Sequence, residues 1–547
     1  MITPTPAGDV DLALAQLAAG APRWRDLSLE RRLVLASACL DGVAAEADAW
    51  IDEASRAKGL APDDPRRGEE VLAGPLATAR YLRLLVRTLH DIREHGAPRL
   101  PAPPRVGADG RLRARVAPVP GLFDSLVFGG CRAEVWFEPG TTAEDVARGA
   151  APYYRASPAA RPAGVTLVLG AGNVSSIAAT DVLTKLFHDG RVVLLKMNPV
   201  NETLGPLLAR AFAPLVEGGY LRVVYGGADV GGCAARDARV GDVHLTGSLA
   251  SHQALAPALA KPLTSELGCV APWIVVPARY GERELRFQAA NLAASVLNNA
   301  SFNCAATRVV VTHRGWPQRG RFLDLVDAIF AADPPRPAYY PGARERFARF
   351  AGREPAPGPA LRPALLRGVD PAGEPALFRE ESFAPVVGET ALDAADDIEY
   401  MARAAEFANE RLWGTLCATV IVHPSTRAGG AGAQAFRAML AGLRYGTVAV
   451  NCWSALSFVL MSTPWGGYPG ATAEDPQSGR GWVHNTFLLE RCEKSVIEAP
   501  LTVFPKPAWF PSHPHAATLT RRVVGLYHRP SVWKVPPLIG PALAARL

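Results

Sequence analysis

The sequence predicts an α/β protein: a doubly wound parallel sheet followed by a second α/β unit, with helices leading in and a basic tail leading out. Three observations carry that prediction. From Gly164 onward, short Val- and Leu-rich runs alternate with segments whose apolar residues recur at three and four spacing, the pattern of buried parallel strands joined by crossover helices. Those runs close on Gly, Lys or Ser at the strand ends where such sheets bind ligands. The alternation then starts afresh at APWIVVP, which marks the second unit near Glu266.

Taken in order, DLALAQLAAG, LSLERRLVLASACLDGVAAEADAWIDEAS and EEVLAGPLATARYLRLLVRTLHDIREHG read as helices. The Pro/Arg-rich APRLPAPPRVGADGRLRARVAPVPG breaks their periodicity and reads as a connector. SLVFGGCRAEVWFEPG reads as two short strands meeting at Gly129 and Gly130. GVTLVLGAG is then a strand, SSIAATDVLTKLFHDG a helix ending at Gly190, RVVLLKM a strand, TLGPLLARAFAPLVEGG a helix, LRVVYGG a strand. After a short helix, DVHLTGS is a strand and LASHQALAPALAK a helix. In the second unit, APWIVVP and TRVVVTH are strands, and RELRFQAANLAASVLNN and RFLDLVDAIFAA helices. The Pro/Gly-dense stretch from Asp333 to Phe378 keeps its Tyr, Phe and Leu residues and reads as a surface excursion. No repeat of solenoid period is present.

Composition narrows the function classes. With 547 residues and 49% hydrophobic content the chain can bury cores for two or three domains. No run of eighteen apolar residues occurs, and MITPTPAGDVDLALAQ has neither the basic start nor the apolar core of a signal peptide, so a soluble cytoplasmic location is expected. The eight cysteines are scattered, with no CxxC pair and no Cys/His cluster at metal-ligand spacing, which argues against a disulfide scaffold or a metal site. The net charge of +6 is matched by Lys506, Arg521, Arg522, Arg529, Lys534 and Arg546 of the tail, which has no Asp or Glu. The rest of the chain balances to zero, so no nucleic-acid surface is expected.

Several residues at predicted strand ends could carry chemistry, and each also has a plainer reading. Gly170, Gly172 and Asn173 could let a backbone approach a phosphate or a reacting carbonyl, or could simply build a turn; the run is not GxGxxG, since Ser175 holds the third position. Lys196 closes LLKMNP and could reach ribose hydroxyls or phosphate, or be a solvated strand end. Gly247 and Ser248 of HLTGS could hold pyrophosphate, and Ser248 could equally cap the next helix. Glu266 in SELGC could be a general base with a raised pKa or a surface carboxylate. Cys304, in NNASFNCAATRVVVTH, could be a nucleophile or small filler.

The ordered set resembles the aldehyde dehydrogenase superfamily. GVTLVLGAGN is similar to that family's strand and oxyanion-asparagine segment, LLKMNP to its cofactor-lysine segment, and HLTGS to its Phe-Thr-Gly-Ser step. SELGCVAPWIVV resembles the Glu-Leu-Gly-Gly-Lys-Ser-Pro stretch and FNCAATRVVV the catalytic-cysteine stretch. FREESFAPVVGE, ANERLWGTLCATV and VNCWSALSFVLMSTPWGGYPG resemble three later motifs of the family, so the likeness runs from about residue 160 to about 497. The step of 38 positions from Glu266 to Cys304 is close to the family's spacing.

The resemblance implies that Cys304 attacks an aldehyde carbonyl, with Asn173 and the Cys304 amide stabilising the oxyanion, and that Glu266 activates the water that hydrolyses the resulting thioester. It implies NAD or NADP as cofactor, held by Lys196, Glu381, Phe383, Gly170, Gly172, Gly247 and Ser248. It also implies a division into a helical part of the cofactor domain (1–122), a β-arm (123–140), the cofactor domain (141–265), a catalytic α/β domain (266–475) and the arm's return (476–500), the arm building a homodimer or homotetramer. Residues 501–547 lie beyond the family's usual end.

Departures bear on these expectations. The family's Gly-Gly-Lys is Gly268-Cys269-Val270, its Gly-Gln before the cysteine is replaced within Ser301-Phe302-Asn303, and Pro199 stands where many NAD-preferring members carry Glu. Gly172-Asn173-Val174 is also similar to fatty acyl reductases of the superfamily, which keeps NADPH-dependent reduction of an acyl-CoA as an alternative to oxidation. Glu266 favours hydrolysis, since water must not intercept an acyl group bound for or from coenzyme A. A non-catalytic scaffold is a further alternative, opposed by the joint presence of Cys304, Glu266, Asn173 and Lys196. The aromatic and basic tail suggests either an arm packed over the body or a neighbouring subunit, or peripheral contact with an anionic membrane, in keeping with a hydrophobic aldehyde.

Overall fold

A computed structural model describes residues 2–544. Its five-stranded parallel sheet has the spatial order Leu221–Val224, Val192–Lys196, Val165–Leu169, Val240–Gly247, Leu263–Leu267. Chain order reverses between Val165–Leu169 and Val240–Gly247, and such a reversal opens a ligand crevice at the carboxyl ends of the strands. Gly170–Asn173, Lys196 and Gly247–Ser248 all follow these ends. The edge strand Leu263–Leu267 runs through Gly268-Cys269-Val270 into Ala271–Val275 of a ten-stranded sheet, so Glu266 lies where the two sheets are joined.

The larger sheet is parallel from Cys492–Glu498 through Thr447–Val450, Cys417–Ile421, Ala271–Val275, Thr307–His313 and Val386–Leu392 to Ala364–Leu366. Arg105–Val106, Leu112–Ala117 and Arg132–Phe137 extend it antiparallel. The Arg132–Phe137 and Cys492–Glu498 strands, expected in a separate arm, therefore continue the large sheet of the same chain.

Helices Ala7–Asp26, Leu29–Ala57 and Ala77–His95 lie where the apolar periodicity predicts them. The second is N-capped by Ser28, whose hydroxyl accepts from the Arg31 N–H, and the third stops at Gly96 with φ 74°. Between them a π turn at Leu72–Leu76 brings Ala73 against the 173–176 segment, where its carbonyl accepts from Ser176 N at 3.1 Å.

Three expectations are corrected. The Pro/Arg-rich connector contains the strand Leu112–Ala117, with Leu112, Ala114 and Val116 buried and Arg113 and Arg115 less so; its period of two was hidden by the flanking prolines. Asp124–Val127 is a helical turn rather than a strand, because the buried Arg80 guanidinium binds the Asp124 carboxylate at 2.5 and 2.9 Å and anchors the turn's start. The helix read over TLGPLLARAFAPLVEGG is two, Gly205–Ala211 and Ala213–Glu217, broken at Phe212 just before Pro214.

The tail is helical rather than extended. Ala516–His528 packs on Arg67–Val71 and Ala77–His95, and buried Tyr527 takes a 2.9 Å hydrogen bond from Arg80. A second helix, Pro536–Leu543, starts with Pro at its first positions. Among the described residues no helix is long and apolar enough to cross a membrane, and no group of His, Cys, Asp and Glu is arranged to hold a metal ion.

Candidate active site

Cys304 sits half-buried in the loop between helix Glu282–Leu297 and strand Thr307–His313. Asn299, Ala300 and Ser301 take positive φ (52°, 53° and 69°), each costing about 1–3 kcal/mol for a non-glycine residue. Dense bonding holds this strained path. Asn299 N donates to Glu69 Oε2 (2.7 Å), Asn299 Nδ2 to Phe302 O (2.8 Å), Asn303 Nδ2 to Asn298 O (3.1 Å) and Trp453 Nε1 to Ala305 O (2.8 Å). Arg308, fully buried, donates to Ser301 Oγ (2.8 Å), Ser301 O (2.9 Å), Asn303 O (3.2 Å) and Ala384 O (2.9 Å). It thereby fastens the loop to the segment carrying Glu381, whose Oε1 is 3.6 Å from Arg308 Nη2.

Glu266 is buried beside the Cys304 thiol and accepts from Trp465 Nε1 at 3.3 Å. Burial pushes its carboxyl up to about 8, and the nearby Asp181 carboxylate adds to the effect. Burial likewise pushes the Cys304 thiol well up, with further contributions from Glu266 and Glu381. The thiol is therefore protonated at neutral pH, and Glu266, once ionised, is at hand to take its proton.

Asn173 is buried and donates its side-chain N–H to Phe302 O at 3.1 Å, which ties it to the cysteine loop. An amide nitrogen has two hydrogens, so one is left for another acceptor. Its own carbonyl accepts from Lys58 Nζ (3.0 Å), Asn299 Nδ2 (2.9 Å) and Tyr339 OH (3.3 Å), and Lys58 pairs with Glu70 at 2.7 Å. Phe302, unexplained in the sequence, anchors an aromatic cluster beside Cys304: its ring centre is 5.1 Å from Tyr339, 5.7 Å from Tyr340 and 5.8 Å from Phe383.

The predicted cofactor residues line the carboxyl edge of the smaller sheet and its junction with the larger. Lys196 is buried, and burial lowers its pKa while the Asp229 and Glu202 carboxylates oppose that. Its ammonium makes no hydrogen bond or ion pair among the described residues. Glu381 Oε1 is buried and receives no hydrogen bond; burial pushes this carboxyl up to about 7, and Arg308 pulls against the shift. Buried groups with hydrogen-bonding capacity to spare suit ribose hydroxyls, so the residues fit a nucleotide cofactor.

The glycines act by close approach. A Cβ on Gly268 would fall 1.8 Å from Glu381 Oε2, one on Gly172 2.6 Å from Asn198 Oδ1 and one on Gly170 3.2 Å from Ala178 Cβ. Gly268 thus lets the Glu381 carboxylate lie against the backbone after Glu266. Ser248 caps the Leu249–Leu255 helix, its Oγ accepting from Ser251 N at 3.1 Å, next to Gly247. Phe383 has φ 41° and lies 4.9 Å from the Tyr340 ring.

Asn173, Glu266, Glu381 and Cys304 are thus brought together, with Lys196, Gly247 and Ser248 along the cofactor edge. Arg308, Trp465, Asn299, Tyr339 and Lys58 were missed. For Arg308 a signal existed, a lone cation inside an otherwise apolar strand, since such a residue is buried only with partners.

The family model described as "Aldehyde dehydrogenase family" matches residues 139–329. The non-phosphorylating aspartate-semialdehyde dehydrogenase of Halomonas elongata is 28% identical over 321 residues, which cover 53% of this chain. The match spans 60% of that relative's length. Among solved structures, lactaldehyde dehydrogenase from Escherichia coli aligns with TM-score 0.61 at 16% identity, over 92% of this chain and 93% of that one. The gamma-glutamyl-gamma-aminobutyraldehyde dehydrogenase of Burkholderia cenocepacia gives 0.62 at 20%, over 91% and 89%. A mutant of aldehyde dehydrogenase C from Pseudomonas syringae, in complex with NAD+ and octanal, gives 0.61 at 19%, over 90% and 89%. The fold is that of the aldehyde dehydrogenases, and residues 139–329 are similar to the aldehyde dehydrogenase family model.

Proposed function

We propose that the protein oxidises an aldehyde to a carboxylic acid with NAD or NADP, through a thioester on Cys304. The observation that carries this reading is the buried Glu266 carboxyl beside the Cys304 thiol, with its pKa pushed up to about 8. In its ionised form it takes the thiol proton as sulfur attacks the carbonyl. The Asn173 amide and the Cys304 N–H then face the alkoxide in a site shielded from water. The nicotinamide cofactor, when bound, accepts the hydride that leaves the thiohemiacetal carbon. Once the thiol proton has left Glu266 for solvent, the carboxylate takes a proton from the water that attacks the thioester and returns it to sulfur as the C–S bond breaks, releasing acid and thiol.

The same pair favours hydrolysis over acyl-CoA reduction, in which a water-activating base beside the thioester would waste it. The aromatic cluster at Phe302, Tyr339, Tyr340 and Phe383 supports a hydrophobic aldehyde. Asp229 and Glu202 near Lys196 would repel a 2′-phosphate, which supports NAD over NADP and lets acids outside position 199 take the discriminating role. The assignments of Asn173, Lys196, Gly247, Ser248, Glu381 and Phe383 belong to this proposal.

A panel of aldehydes with NAD+ or NADP+, beside acyl-CoAs with NADH or NADPH, tests the reading by nicotinamide absorbance. Turnover of aldehyde supports it, and turnover of acyl-CoA alone overturns it. Homodimer or homotetramer formation is a further part of the proposal, read by light scattering.

The tail leaves Val532, Trp533, Ile539 and Leu543 exposed, Trp533 at 84%. Peripheral contact with an anionic membrane through that patch predicts that a chain ending near Pro500 loses binding to anionic vesicles at low salt; equal binding by both chains excludes it.

A further inference from the structure

The proposed reaction leaves one proton per turnover on Glu266, a carboxyl only 5% exposed. The structure connects Glu266 to one particular face of the smaller sheet. His244 pairs with Thr264 and Thr246 with Glu266 in the parallel register of the last two strands, so all four side chains lie on one face. The helix Ile177–Phe187 covers that face. Its residues are all buried, yet it carries Asp181 and Lys185, one turn apart on the same side.

These groups form a chain. Thr246 Oγ1 donates to Asp181 Oδ2 at 2.8 Å; His244 Nε2 lies 3.4 Å from Thr246 Oγ1 and 3.6 Å from Asp181 Oδ2. On its other side His244 Nδ1 lies 2.9 Å from Thr264 Oγ1, a half-buried residue. Lys185 Nζ reaches Thr264 Oγ1 at 3.3 Å and pairs at 2.8 Å with Asp189, itself 2.7 Å from His188 Nδ1. Asp181 is 1% exposed, His244 3% and Thr246 6%, whereas the Asp189 side chain is 33% exposed. A polar path thus leads from Thr246, the register neighbour of the buried base, to half-buried Thr264 along the helix–sheet interface, where ionisable groups are costly to keep.

We infer that Asp181, Thr246 and His244 are positioning residues that carry the proton from Glu266 to solvent at Thr264. Resting on the aldehyde reading above, the step balances. The Glu266 carboxylic acid gives its proton to Thr246 Oγ as the Thr246 hydroxyl proton passes to Asp181. Asp181 protonates His244 Nε2, and the imidazolium releases its Nδ1 proton through the Thr264 hydroxyl to water. One proton enters and one leaves; His244 ends with its proton on Nε2, and a ring flip together with rotation of the Thr246 and Thr264 hydroxyls restores the starting state.

Other ionisable groups facing the path include His484, Glu381, Cys304, Tyr81 and, near the mouth, Glu490. His484 Nε2 lies 3.0 Å from Thr180 Oγ1, and burial lowers its pKa to about 4, so it stays neutral while Asp181 and His244 exchange the proton.

The test is pre-steady-state and steady-state kinetics, across pH, of wild type, Asp181→Asn, Thr246→Val and His244→Gln with an accepted aldehyde and NAD+. The inference predicts a wild-type-sized NADH burst in all three variants and later turnovers slowed about tenfold, with an enlarged solvent deuterium isotope effect. In Asp181→Asn the ionisation near pH 8 also moves down, because a negative neighbour of Glu266 has been removed. In Thr246→Val and His244→Gln that charge remains and the ionisation stays within the wild-type range.

Asp181→Glu should recover most of the lost turnover. Wild-type turnover at every pH in Thr246→Val and His244→Gln overturns the inference, as does loss of the burst together with turnover, which marks a structural role. Should Asp181→Asn fail to fold, the other two variants decide. A wild-type protein with no NADH burst on any aldehyde overturns the aldehyde reading itself.

Discussion

The two halves of the site are built differently. Around Cys304 the polar groups are largely bonded within the protein: the loop is strained at three residues, and Arg308, Asn299, Trp453 and Asn173 hold it. Along the cofactor edge Lys196 has no partner among the described residues, and Glu381 Oε1 receives no hydrogen bond. The difference separates two physical tasks. Chemistry needs reacting groups fixed before substrate arrives, whereas a binding edge keeps donors and acceptors free for the ligand to satisfy.

The proposed roles can be broken on either side of that contrast. The largest effect is expected from Cys304→Ala, which should lower NADH formation by at least about 10³-fold with cofactor affinity unchanged by titration. Full activity in that variant would refute the mechanism. Glu266→Gln should spare the first burst and slow later turnovers by about 10²-fold or more. In the wild type, the deacylation rate should rise through about pH 8, since only the ionised Glu266 accepts a proton from water. A pH-independent deacylation rate between 6 and 9 would remove Glu266 from the role.

Arg308→Met tests the fixed half without touching a reacting atom. It leaves loop carbonyls and Glu381 without their cation, so a stability loss of about 3–5 kcal/mol by denaturant unfolding and a fall in kcat are expected. Lys196→Met tests the open half. Loss of one charged donor should raise the cofactor KM by about tenfold with little change in kcat. The smallest effect is Asp229→Asn, which should narrow the preference for NAD over NADP by a few-fold, read as the ratio of kcat/KM values.

The fold was legible where periodicity was strong. The Val/Leu runs and three-four spacing located the parallel strands and crossover helices, because strands buried on both faces must be apolar throughout. Leu112–Ala117 and the tail helices were misread, as prolines at their flanks masked short regular segments. Cys304, Glu266, Asn173 and Lys196 were legible as residues at strand ends. Arg308, Trp465 and the Asp181–His244–Thr246 path were not, since their meaning depends on which strands lie side by side. That Thr246 pairs with Glu266 is a fact of register, and no local pattern in HLTGS or SELGC states it.

The central claim is the thioester on Cys304 and its hydrolysis by Glu266. Its most direct test is to mix the Glu266→Gln protein with aldehyde and NAD+, quench with acid, and weigh the Cys304 peptide by mass spectrometry. The account predicts an acyl adduct on Cys304 together with close to one NADH per site. Repeated NADH turnover with Cys304 unmodified, or an adduct on another cysteine, would contradict it.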